Sequence, residues 1–373
     1  MGSHPRDGGL AGGDDVKTLV PTINELARRV GCDVRLMEVC GTHTMSAFRS
    51  GLPQLLPSNV HLISGPGCPV CVTDTNYIDA AIALCRRPDV MMATFGDLVR
   101  VPGSPPTGGS LERKRAAGAD VRVVYSPTDA VALARDNPAK QVVFLGVGFE
   151  TTAPTVAASI MQAAKDGVQN YSVLCAHKTM PHAMEALLRD REVKIDGFVC
   201  PGHVSVITGA AMYRFICEKY KISCVVAGFE AWDMLKTIEM LLAQIADGRA
   251  EVEIEYSRSV NERGNVAAQK LLTEVFEECD AGWRGLGNIP RSGLAIRPKY
   301  AQFDATKALG VKFEAARPHP GCRCGDVLRG VITPPDCKLY GKTCTPTDPV
   351  GPCMVSNEGT CAAFFKYNRR AGA

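Results

Sequence analysis

The sequence predicts an α/β fold in which two similar parallel-sheet domains face a cleft and a cysteine-rich domain follows. Short β-rich runs alternate with helical stretches from residue 34 to residue 228, which is typical of doubly wound parallel sheets. A Gly/Pro-rich loop near residues 101–110 and the charged stretch after it indicate a boundary. Beyond residue 283 the periodicity fades, and six cysteines fall within 40 residues. We therefore predict domains at 16–118, 119–228 and 229–373.

The elements follow in order. The first helix is predicted over residues 16–30, where Leu19, Ile23 and Leu26 share one face. Strands of the first domain are predicted over 34–39, 60–64 and 90–95, with helices over 42–50 and 74–86. Strands of the second domain are predicted over 121–125, 141–147, 171–175, 197–200 and 224–227, with helices over 128–136, 152–166, 180–189 and 205–219. Long helices over 230–248 and 260–279 should lead into the C-terminal region.

Composition narrows the class of protein. Of 373 residues, 46% are hydrophobic and 22% are charged, and the net charge is +3. These values suit an ordinary globular protein and favour neither nucleic acid nor a membrane as partner. The sequence has no run of about 18 apolar residues that could span a membrane. Residues 1–15 lack the apolar segment of a signal peptide, so we expect a disordered lead-in and a cytoplasmic protein.

Cysteine usage is unusual, with 16 residues in the chain. In a reducing compartment, clustered cysteines indicate metal binding or redox chemistry rather than a disulfide framework. Single cysteines in apolar segments are ordinary small core residues. We assign that role to Cys85, Cys175, Cys200, Cys217, Cys224 and Cys279, and Cys32 stands alone near the start. The nine that remain are Cys40, Cys68, Cys71 and the six between Cys322 and Cys361.

The first group of informative cysteines follows two predicted strands. Cys40 and His43 come after the strand at 34–39, and Cys68 and Cys71 come after the strand at 60–64. If the strands are neighbours, three thiols and an imidazole meet at one sheet edge. Cys68 and Cys71 are spaced for a disulfide or for two ligands of one metal. At the start of a helix, Cys40 should have a lowered pKa, and a thiolate with an imidazole suits iron, zinc or copper.

Polar residues follow the other predicted strands as well. Open α/β sheets bind ligands at the carboxyl ends of their strands, so we expect these side chains to line a shared cleft. They are Asp97, the stretch Glu150-Thr151-Thr152, His177 with Lys178, His203 and Glu230.

The C-terminal segment carries six thiols, at Cys322, Cys324, Cys337, Cys344, Cys353 and Cys361. A segment with little core of its own is commonly stabilised by a metal centre. Four thiolates suit a [4Fe-4S] cluster or tetrahedral zinc, and the two others suggest a redox pair beside it. The residues favour iron–sulfur over zinc, but the spacing leaves open which four thiols are ligands.

With these motifs in view, the sequence resembles the HypD family of hydrogenase maturation proteins, over about residues 34–367. The resemblance rests on Cys-Gly-Thr-His at 40–43, Gly-Pro-Gly-Cys-Pro-Val-Cys at 65–71, Gly-Val-Gly-Phe-Glu-Thr-Thr at 146–152, Cys-Pro-Gly-His at 200–203 and the C-terminal cysteine pattern. It implies a scaffold on which the iron of [NiFe] hydrogenases receives its cyanide and CO ligands. The implied partners are a HypC-like chaperone, a HypE-like cyanide donor that carries a thiocyanate and, indirectly, the hydrogenase large subunit.

The resemblance also implies roles for single residues. Cys40 would be the iron ligand, with His43 close by, and Cys68 and Cys71 would be a redox dithiol. The family's Cys-x14-Cys-x6-Cys-x16-Cys pattern falls on Cys322, Cys337, Cys344 and Cys361 as the [4Fe-4S] ligands. Cys324 and Cys353 are then a second redox pair, an arrangement similar to ferredoxin:thioredoxin reductase, and Glu358 carries over as a further site residue.

Two other functions stay open from the sequence. One is a cluster-dependent thiol–disulfide oxidoreductase that acts on protein substrates. The other is a zinc-stabilised α/β binding module without a redox role.

Overall fold

The computed structural model describes residues 13–105, 109–315 and 317–368, and it confirms the predicted α/β class. The strands are β1 (Val34–Glu38), β2 (Val60–Ser64), β3 (Val90–Thr94), β4 (Val121–Val123), β5 (Gln141–Gly146), β6 (Tyr171–Cys175), β7 (Gly197–Pro201), β8 (Ser223–Ala227), β9 (Val252–Ile254), β10 (Phe276–Trp283) and β11 (Gly287–Ile296).

Helices fill most of the connections between these strands. They are α1 (Gly13–Val30), α2 (Gly41–Arg49), α3 (Leu52–Leu55), α4 (Pro69–Val72), α5 (Thr75–Leu84), α6 (Leu111–Ala116), α7 (Pro127–Asp136), α8 (Ala153–Lys165), α9 (Met180–Arg189), α10 (Gly202–Thr208), α11 (Arg214–Tyr220), α12 (Ala231–Ala246), α13 (Val266–Val275), α14 (Ala305–Ala308), α15 (Cys324–Leu328) and α16 (Thr360–Tyr367). Short 3-10 helices lie at Gly96–Leu98, Ala210–Tyr213, Pro298–Phe303, Pro334–Asp336 and Pro352–Met354.

Two parallel sheets form the body of the protein. The first has the strand order β2-β1-β7-β8-β9, and the second has the order β4-β3-β5-β6. Every residue of β3 and of β8 is buried, as expected for strands that helices cover on both faces. The carboxyl ends of both sheets therefore supply the loops in which the predicted site residues lie.

The chain divides between the sheets differently from the prediction. β3, predicted within the first domain, pairs with β4 and β5 of the second sheet. β7 and β8, predicted within the second domain, pair with β1 and with each other in the first sheet. The chain thus leaves the first sheet after α5 and returns to it at β7. The Gly/Pro-rich loop that was predicted to be a domain boundary lies between β3 and β4. Gly103 N, before the undescribed part of this loop, donates a hydrogen bond to Gly109 O, after it, at 2.9 Å.

A second difference concerns the region after β9. The helix predicted over 260–279 is shorter, because α13 ends at Val275 and the antiparallel hairpin β10–β11 follows. Phe276 is paired with Ile296, and both are buried. The local hydrophobic pattern favours a helix here, but the burial of these two residues against the second sheet favours a strand, and the strand forms.

Within the described residues, the hydrophobic core has three parts. One packs α1 and α12 against the first sheet, and another packs α7, α8 and the hairpin against the second sheet. The largest lies between the sheets and includes Cys68, Cys71, Cys324 and Cys353. These four cysteines therefore lie where the two sheets and the C-terminal segment meet.

The ends of the chain also differ from the prediction. The first helix begins at Gly13 rather than at residue 16, and residues 1–12 of the predicted lead-in lie outside the described residues. The C-terminal segment up to residue 368 contains only short helices and turns after β11. No helix in the described part of the chain is long and apolar enough to cross a membrane.

Candidate functional site

A cavity of about 550 Å³ lies between the carboxyl ends of the two sheets. This volume is within the range of about 300–1,000 Å³ that small-molecule sites occupy. The lining residues come from both sheets and from the C-terminal segment: Cys40, Gly67, Pro69, Val70, Phe95, Gly96, Asp97, Leu98, Val123, Val124, Tyr125, Val147, Phe149, Thr151, Thr152, His203, Val204 and Glu358.

Cys40 lies in this cavity, between β1 and the first turn of α2. Its backbone is extended, and Gly41 N donates a hydrogen bond to Gly67 O at 3.1 Å. A Cβ at Gly67 would collide with the backbone nitrogen of Cys40, and a Cβ at Gly41 would collide with the Glu358 backbone. The glycines of both motifs therefore permit three chain segments to approach closely around the Cys40 thiol.

The environment of Cys40 corrects one expectation. Burial and, to a smaller extent, the nearby Glu358 carboxyl raise the pKa of the Cys40 thiol to about 12. The prediction of a lowered pKa at the helix start was wrong, because removal from water outweighs the favourable first turn of α2. In the protein alone Cys40 is a neutral thiol, and a bound metal ion would deprotonate it.

His43 lies in α2 and does not line the cavity. Its ring is fully buried, and its Nε2 atom is 3.2 Å from Ala227 O. Burial lowers the pKa of His43 to about 4, so the ring is neutral at pH 7. Its Nδ1 atom has no hydrogen-bond partner among the described residues.

Phe229 connects His43 to the cavity. The rings of His43 and Phe229 are stacked, with centroids 4.8 Å apart, and the ring of His203 stacks on Phe229 at 3.8 Å. His203 is exposed and lines the cavity. The sequence motifs indicated both histidines, but no pattern in the sequence indicated Phe229.

Cys68 and Cys71 form a disulfide at the start of α4, with Cα atoms 5.2 Å apart. Cys71 N donates a hydrogen bond to Cys68 Sγ at 3.2 Å. The two residues are only 2% and 0% exposed, so the disulfide is shielded from bulk water. Their neighbours Gly67 and Pro69 line the cavity that contains Cys40.

The C-terminal segment reaches both of these motifs. Thr42 Oγ1 donates a hydrogen bond to Glu358 Oε1 at 2.9 Å, next to Cys40. The Cys71 Sγ atom lies 4.0 Å from Pro352 O, one residue before Cys353. The segment thus contacts the disulfide on one side and the Cys40 turn on the other.

Two carboxyl groups share the cavity with Cys40. Burial raises the pKa of Asp97, and burial together with the Asp97 charge raises the pKa of Glu358. Burial and the nearby Asp97 charge therefore act in the same direction, against ionisation of Glu358.

The six C-terminal cysteines are brought together around one small cavity. Their neighbours in its lining are Arg323, Val327, Leu339, Tyr340, Gly351 and Met354. Cys322 and Cys324 both line it, and hydrogen bonding to the Cys324 thiol together with burial raises the pKa of Cys322. A Cβ at Gly351 would lie 2.7 Å from Cys322 Sγ, so a larger residue there would displace this thiol.

Several strand-end residues expected in the cleft lie elsewhere. Glu150 Oε1 accepts a hydrogen bond from Met180 N at 2.9 Å, and burial raises the pKa of Glu150 to about 7. Lys178 Nζ donates to Gly282 O at 2.6 Å, under the hairpin β10–β11. His177 is buried beside Phe276, and Glu230 caps α12. The expected cleft therefore contains Asp97, Thr151, Thr152 and His203, but not these four.

Comparison with known proteins finds similarity over nearly the whole chain. A family model described as "HypD: Hydrogenase formation hypA family" matches residues 14–368. The chain belongs to the HypD family. Relatives carry matching names and cover similar lengths, so the chain is a member of a family of hydrogenase maturation factors.

Three relatives illustrate the similarity to other HypD-family proteins. "Hydrogenase maturation factor HypD" of Rhizobium leguminosarum bv. viciae is 46% identical over 371 residues, which cover 98% of this chain and 94% of the relative. The protein of the same name from Rhodobacter capsulatus is 46% identical, over 98% of this chain and 97% of the relative. "Hydrogenase expression/formation protein HupD" of Azotobacter chroococcum mcd 1 is 45% identical, over 94% and 96%.

The [4Fe-4S] cluster that the HypD resemblance implies can be compared with the side chains that the structure offers as ligands. No three His, Cys, Asp or Glu side chains within residues 13–105, 109–315 and 317–368 already converge in a metal-binding geometry. Six cysteines nevertheless line one cavity, and no carboxylate or imidazole lines it. An all-thiol donor set of this size fits a four-thiolate cluster.

Proposed function

We propose that this HypD-family chain is the scaffold on which the iron of a [NiFe] hydrogenase receives its cyanide and CO ligands. The observation that carries the proposal is the Cys40 thiol in a cavity between two sheets, with the Cys68–Cys71 disulfide and the cysteine-rich segment against it. A soft sulfur ligand next to a two-electron redox pair is the combination that reductive ligand transfer to iron requires.

In this proposal the iron is the cargo and Cys40 is its protein ligand. The buried Cys40 thiol binds a soft metal ion by releasing its proton. His43 does not line the cavity, so its proposed part is to hold α2 in position through Ala227 and Phe229. Glu358 fixes the turn from the other side through Thr42.

Cys68 and Cys71 are proposed to supply the electrons of cyanide transfer. Reductive cleavage of a thiocyanate breaks its S–C bond and consumes two electrons, which yields a thiolate and cyanide. Oxidation of the Cys68/Cys71 dithiol to the disulfide releases two electrons and two protons. One oxidation of the pair therefore matches the release of one cyanide.

The C-terminal cysteines are proposed to return electrons to this pair. Cys322, Cys337, Cys344 and Cys361 would hold a [4Fe-4S] cluster, which supplies electrons one at a time when bound. Cys324 and Cys353 would act as a second thiol pair. The 4.0 Å approach of Cys71 Sγ to Pro352 O supports contact between the two redox regions.

We further propose that a HypC-like chaperone covers the cavity and that a HypE-like protein delivers the cyanide, before the iron group passes to the hydrogenase large subunit. The rim of the cavity supports a partner surface, because Tyr125 is 93% exposed and Val123 is 40% exposed. Apolar side chains exposed at the mouth of a site commonly mark protein contacts.

Infrared spectroscopy tests this function. The protein should be purified anaerobically together with its HypC-like chaperone, because CN and CO stretches fall where proteins are otherwise transparent. The proposal predicts bands of both ligands on the complex. A complex that contains stoichiometric iron and shows neither ligand would argue against the scaffold function.

A second candidate function is a cluster-dependent thiol–disulfide oxidoreductase, which the Cys68–Cys71 disulfide favours. The burial of both cysteines argues against it, since a protein substrate needs access to a sulfur atom. Reduction of a thioredoxin-like protein by a Cys40→Ala variant at the unmodified rate would favour this candidate. Zinc without iron or sulfide in anaerobic preparations would favour a binding module instead.

A further inference from the structure

The proposed function gives no role to two threonine hydroxyls in the cavity. Thr151 and Thr152 follow β5, are half-buried and line the cavity with Cys40. Neither hydroxyl makes a hydrogen bond within the described part of the chain. Thr155, one turn later on α8, is exposed, and its hydroxyl donates to Thr152 O at 2.7 Å. Among these three threonines, the two whose hydroxyls make no hydrogen bond are the two that line the cavity.

The position of Thr152 makes its free hydroxyl notable. It is the N-cap residue of α8, where a threonine ordinarily accepts a hydrogen bond from its own helix. Here it makes no such bond. A Cβ at Gly148 would lie 2.6 Å from Thr152 Oγ1, so the glycine makes room for this side chain against the loop. The loop therefore fixes the position of the Thr152 side chain, whose hydroxyl has no hydrogen-bond partner within the described residues.

His203 adds a third donor on the opposite side. Its ring stacks on Phe229 at 3.8 Å, and neither ring nitrogen has a hydrogen-bond partner among the described residues. An imidazole presents at least one N–H donor in every tautomer. Gly202 permits this packing, because a Cβ there would lie 3.2 Å from Phe229.

The rest of the cavity wall supplies few other donors. Leu98, Val124, Val147, Phe149 and Val204 are apolar and line most of the remaining surface. Glu358 already accepts the Thr42 hydroxyl, and Tyr125 lies at the rim, where it is 93% exposed. Thr151, Thr152 and His203 therefore supply hydrogen-bond donors to a cavity that is otherwise lined largely by apolar side chains.

We propose that Thr151, Thr152 and His203 form a subsite that donates hydrogen bonds to the nitrogen atoms of iron-bound cyanide, while the apolar wall accommodates CO. A cyanide bound through carbon keeps an anionic lone pair on nitrogen, whereas the oxygen of bound CO is a poor acceptor. The cavity thus sorts the two diatomic ligands by their hydrogen-bonding capacity. This inference rests on the proposed scaffold function and extends it to the ligands' own contacts.

The test compares infrared spectra of the complex with the HypC-like chaperone for the unmodified chain and for Thr151→Val and Thr152→Val. Valine keeps the shape of threonine and removes the hydroxyl. Thr155→Val is the matched control, because it removes a threonine hydroxyl from the first turn of α8, outside the cavity. We expect at least one CN band to shift by more than the CO band in the cavity variants, and no band to shift in the control.

Each outcome separates the two proposals. Unshifted CN bands in both cavity variants would overturn the subsite and leave the scaffold function intact. Absence of CN and CO bands from the unmodified complex would overturn both. If a cavity variant loses its bands altogether, Thr152→Ser or Thr151→Ser decides: the subsite predicts that the returned hydroxyl restores them, and failure to do so contradicts it.

Discussion

A buried carboxyl beneath the Cys40 turn should make the stability of this protein depend on pH. Glu38 ends β1 and is only 1% exposed. Ser64 Oγ donates to its Oε1 atom at 2.9 Å, but its Oε2 atom has no partner within the described residues. Burial raises the pKa of Glu38 to about 8, although hydrogen bonds from Ser64 and Thr44 act in the opposite direction.

The sign and size of the effect follow from this pKa. The unfolded chain loses the Glu38 proton near pH 4.5, whereas the folded protein keeps it until about pH 8. Between these values the unfolded state binds fewer protons, so the free energy of unfolding falls as the pH rises. The full shift is worth about 5 kcal/mol, reached at pH 8 and absent below pH 4.5.

Glu38→Gln should remove this dependence. The amide keeps the size of the side chain and cannot ionise, so the variant should unfold at higher urea concentration than the unmodified protein at pH 8 and at a similar one at pH 5. Urea unfolding midpoints under anaerobic conditions measure both. Glu25→Gln on the exposed face of α1 is the control. Equal separation of the Glu38→Gln and unmodified midpoints at both pH values would refute the reasoning.

Two further predictions concern the motifs. Gly67→Ala should lower the free energy of unfolding by about 3 kcal/mol or more, because the added Cβ meets the Cys40 backbone, which cannot rotate away. Gly310→Ala is the control, because Gly310 has a φ of 62° and open space around it, and it should lower the free energy of unfolding, measured in urea, by only about 1 kcal/mol. An equal loss of stability in both variants would show that the added Cβ at Gly67 does not collide with the Cys40 backbone. Cys337→Ser should abolish the visible absorbance of the cluster, whereas Cys32→Ser should retain it; a retained cluster in the first variant would exclude Cys337 as a ligand.

The positions of most strands could be predicted from the sequence, but their distribution between sheets could not. The β-rich runs that begin at Val34, Val60, Val90 and Tyr171 are strands at those positions. Such strands can be predicted from the local sequence, because a strand that is covered on both faces consists almost entirely of apolar residues. Pairing of β1 with β7 joins segments about 160 residues apart, and no local signal specifies it.

Site residues could be predicted from the sequence where they belong to a recognisable motif or follow a strand. Cys40, Asp97, Glu358 and the six C-terminal thiols lie where strand ends and motifs indicated. The raised pKa of Cys40 and the placement of Lys178 under the hairpin were not predictable, because both depend on burial by distant segments. A strand-end position puts a residue at the sheet edge, but the packing above that edge decides whether it reaches the cavity.

The central claim is that Cys40 holds the iron while its ligands are attached. The most direct measurement is the infrared spectrum of the anaerobic complex formed by Cys40→Ala, beside that of Cys32→Ala, which alters an exposed cysteine. The account predicts that Cys40→Ala loses the CN and CO bands while its cluster absorbance stays intact, and that Cys32→Ala keeps both. CN and CO bands of normal intensity on Cys40→Ala would contradict it.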